Sequence, residues 1–282
     1  MAAGTLYVVA TPIGNLGDLT SRAIETLRAC DRVLAEDTRR TRQLLTHLGI
    51  AGKPVERLDA HATEGDVARA VERLAAGESA ALATDAGTPG VSDPGERLVA
   101  AAIAAGVRVV PVPGASAVLA ALVASGLAGD GRFRFVGFLP REGPPRREAI
   151  AVVCATPEPV VLFEAANRTP ATLRELADAT PARRACVARE LTKVHEELVR
   201  GTCEELAADG REWLGEIAVV LGPHDPEARE AAIDDAALDA RIDEALGKGE
   251  HAKTIADKLA AWSGRPRRVV YERVVTRKAE RG

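Results

Sequence analysis

The sequence predicts an α/β protein with two α/β units and a small helical module at the C-terminal end. Short strands that are apolar throughout alternate with helical stretches from the start of the chain, which is typical of a sheet covered on both faces. The chain has 282 residues, of which 46% are hydrophobic, enough for two domains of ordinary size. After residue 223 the strand pattern stops and an Ala-rich helical pattern follows.

The first unit is predicted from five strands with helices between them. Apolar runs predict strands at 6–11, 32–36, 54–58, 79–84 and 107–112, and helical spacing of apolar residues predicts helices at 19–29, 39–48, 64–76 and 94–105. Because the strands carry few polar residues, we expect helices on both faces of this sheet. We predict that the unit spans residues 1–113.

The second unit begins with a helix predicted at 116–125, and a glycine-rich break follows at 126–131. Strands are predicted at 133–138, 160–164, 185–191 and 213–221, helices at 146–154 and 170–179, and a basic, proline-rich loop at 140–145. We predict a second α/β domain at 114–223. Helices at 226–247 and 251–263, and a basic helix beginning after Gly264, form the predicted helical module at 224–282.

Composition and cysteine usage exclude several classes of protein. The net charge is −4, so a nucleic-acid partner would need a local basic patch. The four cysteines form no C-x-x-C pair and have no histidine at ligand spacing, which indicates buried thiols in a reducing cytoplasm and no metal site. No apolar run is long enough to span a bilayer, and the chain begins with a strand rather than a signal peptide.

Three predicted strands of the first unit end in loops rich in glycine and proline. These loops are TPIGNLGD at 11–18, TDAGTPGVSDPG at 84–95 and VPGASA at 112–117. Carboxyl ends of parallel strands share one sheet edge, where ligands bind at a switch in strand order. The dinucleotide, P-loop, zinc-protease and G-x-S-x-G motifs are all missing. Backbone groups, small side chains and one or two carboxylates suit an adenosyl group with a cationic sulfonium better than a triphosphate.

Six stretches together resemble the ribosomal RNA small-subunit methyltransferase I family. They are TPIGNLGDLT at 11–20, AEDTR at 35–39, DAGTPGVSDPG at 85–95, PGASA at 113–117, GFLPR at 137–141 and RELTKVHEE at 189–197. The motifs cover most of residues 4–222 in order, and the C-terminal module is similar more weakly. One stretch departs from the family pattern, because Ala166-Asn167 stands where the family usually has a Pro-His pair.

The resemblance implies a tetrapyrrole-methylase fold, with S-adenosylmethionine bound between the two α/β domains. It also implies a homodimer that methylates the 2′-oxygen of a cytidine in the decoding region of 16S rRNA, within the small ribosomal subunit. Carried over by position, the residues implied to contact the methyl donor are Pro12, Ile13, Gly14, Asp85, Ala86, Gly87, Thr88, Val91, Ser116, Ala117, Glu164 and Gly201.

A ribose hydroxyl needs a base to become an effective nucleophile. Five residues near the implied cleft are candidates, and we favour the first two: Lys193, Glu190, His195, Glu197 and Glu164. A lysine can act as a base only if burial or another cation lowers its pKa. The alternative is that Arg189, Glu190 and Lys193 form a structural ion-pair cluster.

Arginines are the candidates for RNA contact, because planar guanidinium groups suit phosphates. Three follow the second strand, two flank the proline-rich loop and two lie in the C-terminal module: Arg39, Arg40, Arg42, Arg141, Arg146, Arg267 and Arg268. For the basic C-terminal residues, a solvated surface without a partner is an equally good interpretation.

Two other functions are compatible with parts of the pattern. A methyltransferase of the same fold acting on a tetrapyrrole precursor would need a roomy pocket and no basic tail, so the tail and the loop at 140–145 argue against it. A non-catalytic ribosome-binding module would keep a ligand cleft but show no turnover. We expect a cytoplasmic enzyme with no membrane partner.

Overall fold

A computed structural model describes residues 3–93, 95–224 and 235–280. The chain divides into two compact units. Unit 1 contains Met1–Ala120 and Glu190–Glu196, and unit 2 contains Ala121–Arg189 and Glu197–Gly282. The return of Glu190–Glu196 to unit 1 was not predicted, because it depends on contacts distant in sequence. The domain boundaries at 113 and 223 remain predictions.

Unit 1 contains a five-stranded sheet in which every neighbouring pair is parallel. Its strands are β1 (Thr5–Val9), β2 (Arg32–Ala35), β3 (Val55–Arg57), β4 (Ala80–Ala83) and β5 (Arg108–Val112), in the order β3-β2-β4-β1-β5. The five predicted strands of this unit are confirmed, each within two residues at either end.

Helices cover both faces of this sheet, as predicted from its apolar strands. They are α1 (Ser21–Ala29), α2 (Thr38–His47), α3 (Glu64–Ala75) and α4 (Glu96–Ala104), and the division between units falls within α5 (Ala117–Ser125). On one face, α1 and α2 pack against Val9, Val33 and Ala81. On the other, α3 and α4 pack against Leu6 and Leu82. Alternate residues along each strand therefore serve two separate cores.

The order of strands and helices creates a switch point between β1 and β4. The two strands are neighbours, yet β1 is followed by α1 on one face and β4 by α4 on the other. After these two adjacent strands the chain therefore runs to opposite faces of the sheet. The connections diverge, and a crevice forms between them at the sheet edge.

Unit 2 contains a mixed five-stranded sheet. Its strands are β6 (Arg134–Phe138), β7 (Val160–Ala165), β8 (Arg184–Arg189), β9 (Glu197–Thr202) and β10 (Glu216–Leu221), in the order β6-β7-β10-β8-β9. The β6–β7 pair is parallel, and the β7–β10, β10–β8 and β8–β9 pairs are antiparallel. Its helices are α6 (Gly143–Ala155), α7 (Thr169–Ala179) and α8 (Cys203–Ala208).

Two features of unit 2 differ from the sequence-based expectation. The predicted loop at 140–145 is wrong at its end, because α6 begins at Gly143 and accommodates Pro144 and Pro145 in its first turn, where proline loses no helical hydrogen bond. Strand β9 and helix α8 were missed. A capping box at Thr202 and Glu205 begins α8 and was the available signal.

Among the described residues, the C-terminal module contains three helices: α9 (Asp235–Gly247), α10 (Ala252–Ser263) and α11 (Arg267–Glu280). The predicted helix at 226–247 is confirmed from Asp235 onward, and its first residues lie outside the described residues. The module has an apolar core of its own, formed by Leu238, Ile242, Ile255, Leu259, Trp262, Val270 and Val274.

Ion pairs join α9 to α11 along one side of the module. Arg273 pairs with Asp235 and Asp239, and Arg277 pairs with Asp243. The three aspartates are spaced four residues apart, so they lie on the same face of α9. Much of the basic charge that made the tail locally cationic is therefore balanced within the module.

No helix within the described ranges has the length and apolar character to cross a membrane.

Candidate active site

The three glycine- and proline-rich loops of unit 1 are joined to one another by hydrogen bonds. Thr11 and Gly87 form an antiparallel bridge, with N···O distances of 2.8 and 3.1 Å. Thr88 Oγ1 donates to the Ala115 carbonyl at 3.3 Å. These bonds confirm the prediction that the loops after β1, β4 and β5 lie at one sheet edge, around the switch point.

Gly87 allows the central loop to approach the first one closely. Its φ is +86°, a region that side chains with a Cβ rarely adopt. An added Cβ would lie 3.4 Å from Ile13 Cγ2, and Ile13 itself is buried. The bridge to Thr11 therefore depends on glycine at this position.

Ten of the twelve residues implied to contact the methyl donor lie in unit 1 on these loops. Ile13 and Gly87 are buried, and Gly14 and Val91 are exposed. The partly buried remainder are Pro12, Asp85, Ala86, Thr88, Ser116 and Ala117. This set combines main-chain groups, hydroxyls and small apolar side chains, which is a composition that fits an adenosyl ligand.

Carboxylates collect at the ends of β2 and β4. Asp85 Oδ1 accepts a hydrogen bond from the Asp37 backbone N–H at 3.1 Å, and its Oδ2 lies 3.3 Å from Arg40. Burial raises the pKa of Asp93 to about 6, and the charges of Glu36 and Asp85 add to the effect. Burial likewise raises the pKa of Glu36.

Sequence reasoning missed Glu36 and Asp93 as members of this cluster. Both are acidic residues close to the ends of strands whose interiors are apolar, and this was the available signal. Raised carboxylate pKa values are common at functional sites, and they also occur in structural clusters. Within the described ranges, no group of three or more His, Cys, Asp or Glu side chains is arranged to hold a metal ion.

Lys193 and Glu190 lie together on the loop that returns to unit 1. Lys193 Nζ is 2.8 Å from Glu190 Oε1, and both side chains are partly exposed. The loop follows β8 and precedes β9, so it is the tip of an antiparallel hairpin. It also contacts Gly14 of the first loop. The structure therefore brings the two favoured catalytic residues beside one of the predicted donor loops.

The alternative of a structural ion-pair cluster has a partial counterpart at the base of this hairpin. Arg189 Nη1 lies 3.8 Å from Glu197 Oε2, and Arg211 Nη1 lies 2.7 Å from Glu197 Oε1. Glu197 is thus held between two arginines. His195 is exposed near the tip of the loop.

Glu164 and Gly201 lie in unit 2, and the contacts of Glu164 argue against its predicted role at the donor. The Glu164 side chain is fully buried and pairs with Arg168 at 2.5 Å. Its other oxygen accepts a hydrogen bond from Thr172 Oγ1 at 2.6 Å. Gly201 is buried in β9, where an added Cβ would lie 3.0 Å from Glu205 Oε2.

Arg146 is also buried, which argues against the predicted contact with RNA. Its side chain is 8% exposed and pairs with Glu175 at 2.7 Å. It also donates to Thr172 Oγ1 at 2.8 Å and to the Pro140 carbonyl at 3.1 Å. A guanidinium with these partners would have to leave the core of unit 2 to reach a phosphate.

The other predicted RNA-binding arginines are exposed: Arg39, Arg40, Arg42, Arg141, Arg267 and Arg268. On α2, 85% of the Arg39 side chain is exposed, and Asp37 lies 3.1 Å away. Arg267 pairs with Asp257, and Arg268 pairs with Glu272.

At the departure from the family pattern, Asn167 is exposed and Ala166 packs against the core of unit 2. Glu164 and Arg168, which keep the pattern, form the buried ion pair described above. In this chain the stretch therefore packs into unit 2 with Ala166-Asn167 in place of the Pro-His pair.

Comparison with known proteins supports the same fold. The family model described as Tetrapyrrole (Corrin/Porphyrin) Methylases matches residues 5–207. Among solved structures, a diphthine synthase superposes with a TM-score of 0.61 at 21% identity, covering 78% of this chain and 92% of that chain. Uroporphyrin III C-methyltransferase from Thermus thermophilus gives 0.56 at 21% identity, with 78% and 97% covered. At this identity the likeness concerns the fold.

Similarity at the sequence level is higher and extends over nearly the whole chain. Ribosomal RNA small subunit methyltransferase I of Xylella fastidiosa is 45% identical over 275 residues, covering 95% of this chain and 98% of the relative. The protein of the same name from Synechocystis sp. is 42% identical over 272 residues, covering 95% and 96%. An alignment over 95% of this chain includes most of both α/β units and of the C-terminal module. The chain belongs to the ribosomal RNA small subunit methyltransferase I family.

Proposed function

We propose that the protein transfers a methyl group from S-adenosylmethionine to the 2′-hydroxyl of a cytidine ribose in the decoding region of 16S rRNA. The observation that carries the proposal is the meeting of the Pro12–Gly14 loop with the Lys193–Glu190 pair, in a chain whose relatives are ribosomal RNA methyltransferases. A small-subunit partner, a homodimer and a cytoplasmic location follow from the same family resemblance and are part of the proposal.

The loops after β1, β4 and β5 would hold the donor. Ile13, Val91 and Ala117 offer apolar surface, while Thr88 and Ser116 offer hydroxyl groups beside main-chain donors and acceptors. When bound, S-adenosylmethionine supplies a methyl group on a sulfonium that is already activated for displacement. The main task of the protein is then to align the ribose oxygen with that methyl, which can supply about 7–11 kcal/mol of the barrier.

The Lys193–Glu190 pair would handle the proton of the ribose hydroxyl. The carboxylate of Glu190 can accept this proton, and the neighbouring ammonium of Lys193 stabilises negative charge that develops on oxygen. The 2.8 Å contact between them also fixes the direction in which the lysine points. Both side chains remain partly exposed, so a ribose can approach them.

The exposed arginines of α2 support a polyanionic substrate. Arg39, Arg40 and Arg42 lie in unit 1, on the helix that follows β2. Arg40 pairs with Asp85 of the central loop, so this basic face adjoins the loops proposed to hold the donor. Arg146 is left out of the proposed RNA surface because it is buried.

The test is an assay with labelled S-adenosylmethionine and three acceptors: assembled small subunits, free 16S rRNA and a tetrapyrrole precursor. We expect label in the rRNA, with the linkage at the methylated nucleotide resistant to alkali. Label on a base or on the tetrapyrrole would contradict ribose transfer, and the absence of turnover with every acceptor would favour a non-catalytic module.

Variants of the catalytic pair provide the residue-level test of the same proposal. We expect Lys193→Ala and Glu190→Gln to lower kcat by roughly a hundredfold or more, the range typical of general acid–base groups. Lys253→Ala, which removes an exposed lysine of α10, is the matched control and should keep full activity. Losses below about tenfold in both variants, with folding intact, would remove the pair from the mechanism.

A further inference from the structure

The loop Glu190–Glu196 adopts an unfavourable backbone conformation. Glu190 and Thr192 have φ values of +51° and +66°, although neither is glycine and Thr192 is β-branched. Such a conformation is unfavourable for a residue with a Cβ, and it persists only when its surroundings fix it. The contacts that hold this loop must therefore be specific.

Gly14 of the first loop lies close to residues 191–193 of this segment. A Cβ added at Gly14 would lie 2.4 Å from Lys193 Cγ, 2.9 Å from Thr192 Oγ1 and 3.1 Å from the Leu191 carbonyl oxygen. Three consecutive residues of the loop thus surround the position where a side chain would begin. Gly14 does not have a left-handed φ, so glycine is required here for space and not for backbone conformation.

The side chain of Thr192 does not hold the loop through a hydrogen bond. Its Oγ1 atom is buried and has no hydrogen-bond partner among the described residues, which is energetically unfavourable. The Thr192 backbone N–H donates to Glu196 within the same loop, at 2.6 Å. Close contact with Gly14 is one constraint on this loop from outside it.

We propose that Gly14 is a positioning residue for the reaction: the absence of a side chain at this position seats Lys193 so that its ammonium meets Glu190. The proposal rests on the proposed function for the role of the pair, but the contact itself does not depend on it. It also assigns Gly14 a task other than the donor contact implied by the family resemblance.

The test is Gly14→Ala, compared with Gly65→Ala in α3, where the added Cβ meets only ordinary contacts at 3.6 Å and beyond. We expect Gly14→Ala to lower kcat by about a hundredfold, as a small misplacement of reacting groups can do, with the dissociation constant for S-adenosylhomocysteine unchanged. Gly65→Ala should retain both values. A loss of donor affinity with kcat preserved would overturn the proposal.

A second measurement does not require substrate. The rate at which an amine-acylating reagent modifies Lys193, followed by mass spectrometry, should rise in Gly14→Ala because the lysine leaves Glu190. An unchanged rate would contradict the proposal. If the wild-type protein methylates no rRNA, the proposed function fails, while the acylation result still decides whether Gly14 seats Lys193.

The double variant Gly14→Ala/Lys193→Ala covers the case in which Gly14→Ala does not fold. Removing Lys193 Cγ relieves the shortest of the three contacts, so the melting temperature lost through Gly14→Ala should be smaller in the Lys193→Ala background. An equal loss in both backgrounds, or failure of the double variant to fold, would show that Lys193 is not what Gly14 accommodates.

Discussion

The side chain of Arg146 contacts three parts of unit 2. It contacts the Pro140 carbonyl before α6 and Thr172 and Glu175 on α7. It also lies 3.6 Å from Glu164 at the end of β7. Neighbouring carboxylates raise the pKa of Arg146 despite the opposing effect of burial. Arg146 follows two prolines in a basic stretch of the sequence, which indicated an exposed side chain. The packing of α6 against α7 buries it instead.

We predict that Arg146→Met lowers the free energy of unfolding by about 1–3 kcal/mol, because the hydrogen bonds that Arg146 donates to Thr172 and Glu175 are lost and the buried Glu164 keeps only Arg168 as a cationic partner. The adjacent Arg147 is exposed, and Arg147→Met should change stability by no more than about 0.5 kcal/mol. Urea denaturation of both variants measures the difference. If Arg146→Met instead kept full stability and weakened binding to the small subunit, the result would support the RNA contact that the sequence predicted for Arg146.

At the scale of elements, the loop that follows β4 gathers negative charge at the sheet edge. Asp85 and Asp93 lie on this loop, and Glu36 follows the neighbouring strand β2. Glu36 Oε2 accepts a hydrogen bond from the Asp85 backbone N–H at 3.4 Å. Because burial disfavours the charged form of a carboxylate, this arrangement makes the stability of unit 1 depend on pH.

The sign of this dependence follows from the raised pKa of Asp93, about 6 against 3.8 for an ordinary aspartate. Below pH 4 the group is protonated in both states, and above pH 6 it is charged in both. The folded state therefore loses stability as pH rises through this window. The asparagine side chain of Asp93→Asn cannot ionise. We therefore expect the melting temperature of this variant, relative to wild type, to increase between pH 4 and pH 7.

Asp178→Asn on α7, where the carboxylate is exposed, is the control for this comparison and should show no such growth. An advantage of Asp93→Asn that was the same at both pH values would indicate a packing effect instead. A variant less stable than wild type at pH 7 would show that the charge of Asp93 is needed by the fold.

At the scale of the whole molecule, the protein carries a net charge of −4 and is proposed to bind a polyanion. Binding must then depend on where the positive charge lies. Many arginines of unit 2 are used internally, as in the pairs between α9 and α11. Arg39 and Arg42 of α2 remain highly exposed, although Arg39 has Asp37 nearby.

We predict that the double variant Arg39→Ala/Arg42→Ala weakens binding to the small subunit and lowers the slope of log K against log salt by about 1–2, as expected for two lost phosphate contacts. Affinity for S-adenosylhomocysteine should not change. The control replaces Arg69 of α3, on the opposite face of the sheet, and Arg174 of α7, both exposed. An equal effect of the control pair would indicate a general charge effect and no defined RNA surface.

Much of unit 1 could be predicted from the sequence, because its strands are apolar and three of its helices begin at good N-caps. Thr20, Asp37 and Thr63 each accept a backbone hydrogen bond at the start of a helix, and such local signals are readable without a structure. Strand β9 was missed because ELVRGT mixes polar and apolar residues. Paired only with β8 at the end of the sheet order, it carries less of the apolar pattern than the central strands.

The candidate site was predictable in its loops but not in its contacts. Glycine and proline at strand ends identified the residues that surround the switch point, and the family motifs identified Lys193 and Glu190. The packing of Lys193 against Gly14, and the burial of Arg146 and Glu164, join residues far apart in the chain. Such contacts follow from the tertiary arrangement, which residue types and spacing alone do not determine.

The separate core of the C-terminal module has a consequence for how the protein opens. Leu238, Ile255 and Val274 are all fully buried among residues of α9, α10 and α11. Elements that share one small core tend to unfold locally as a single cooperative group. Backbone amides in α10 and α11 should accordingly exchange their hydrogens with solvent together, through a local opening that leaves the sheets of both units intact.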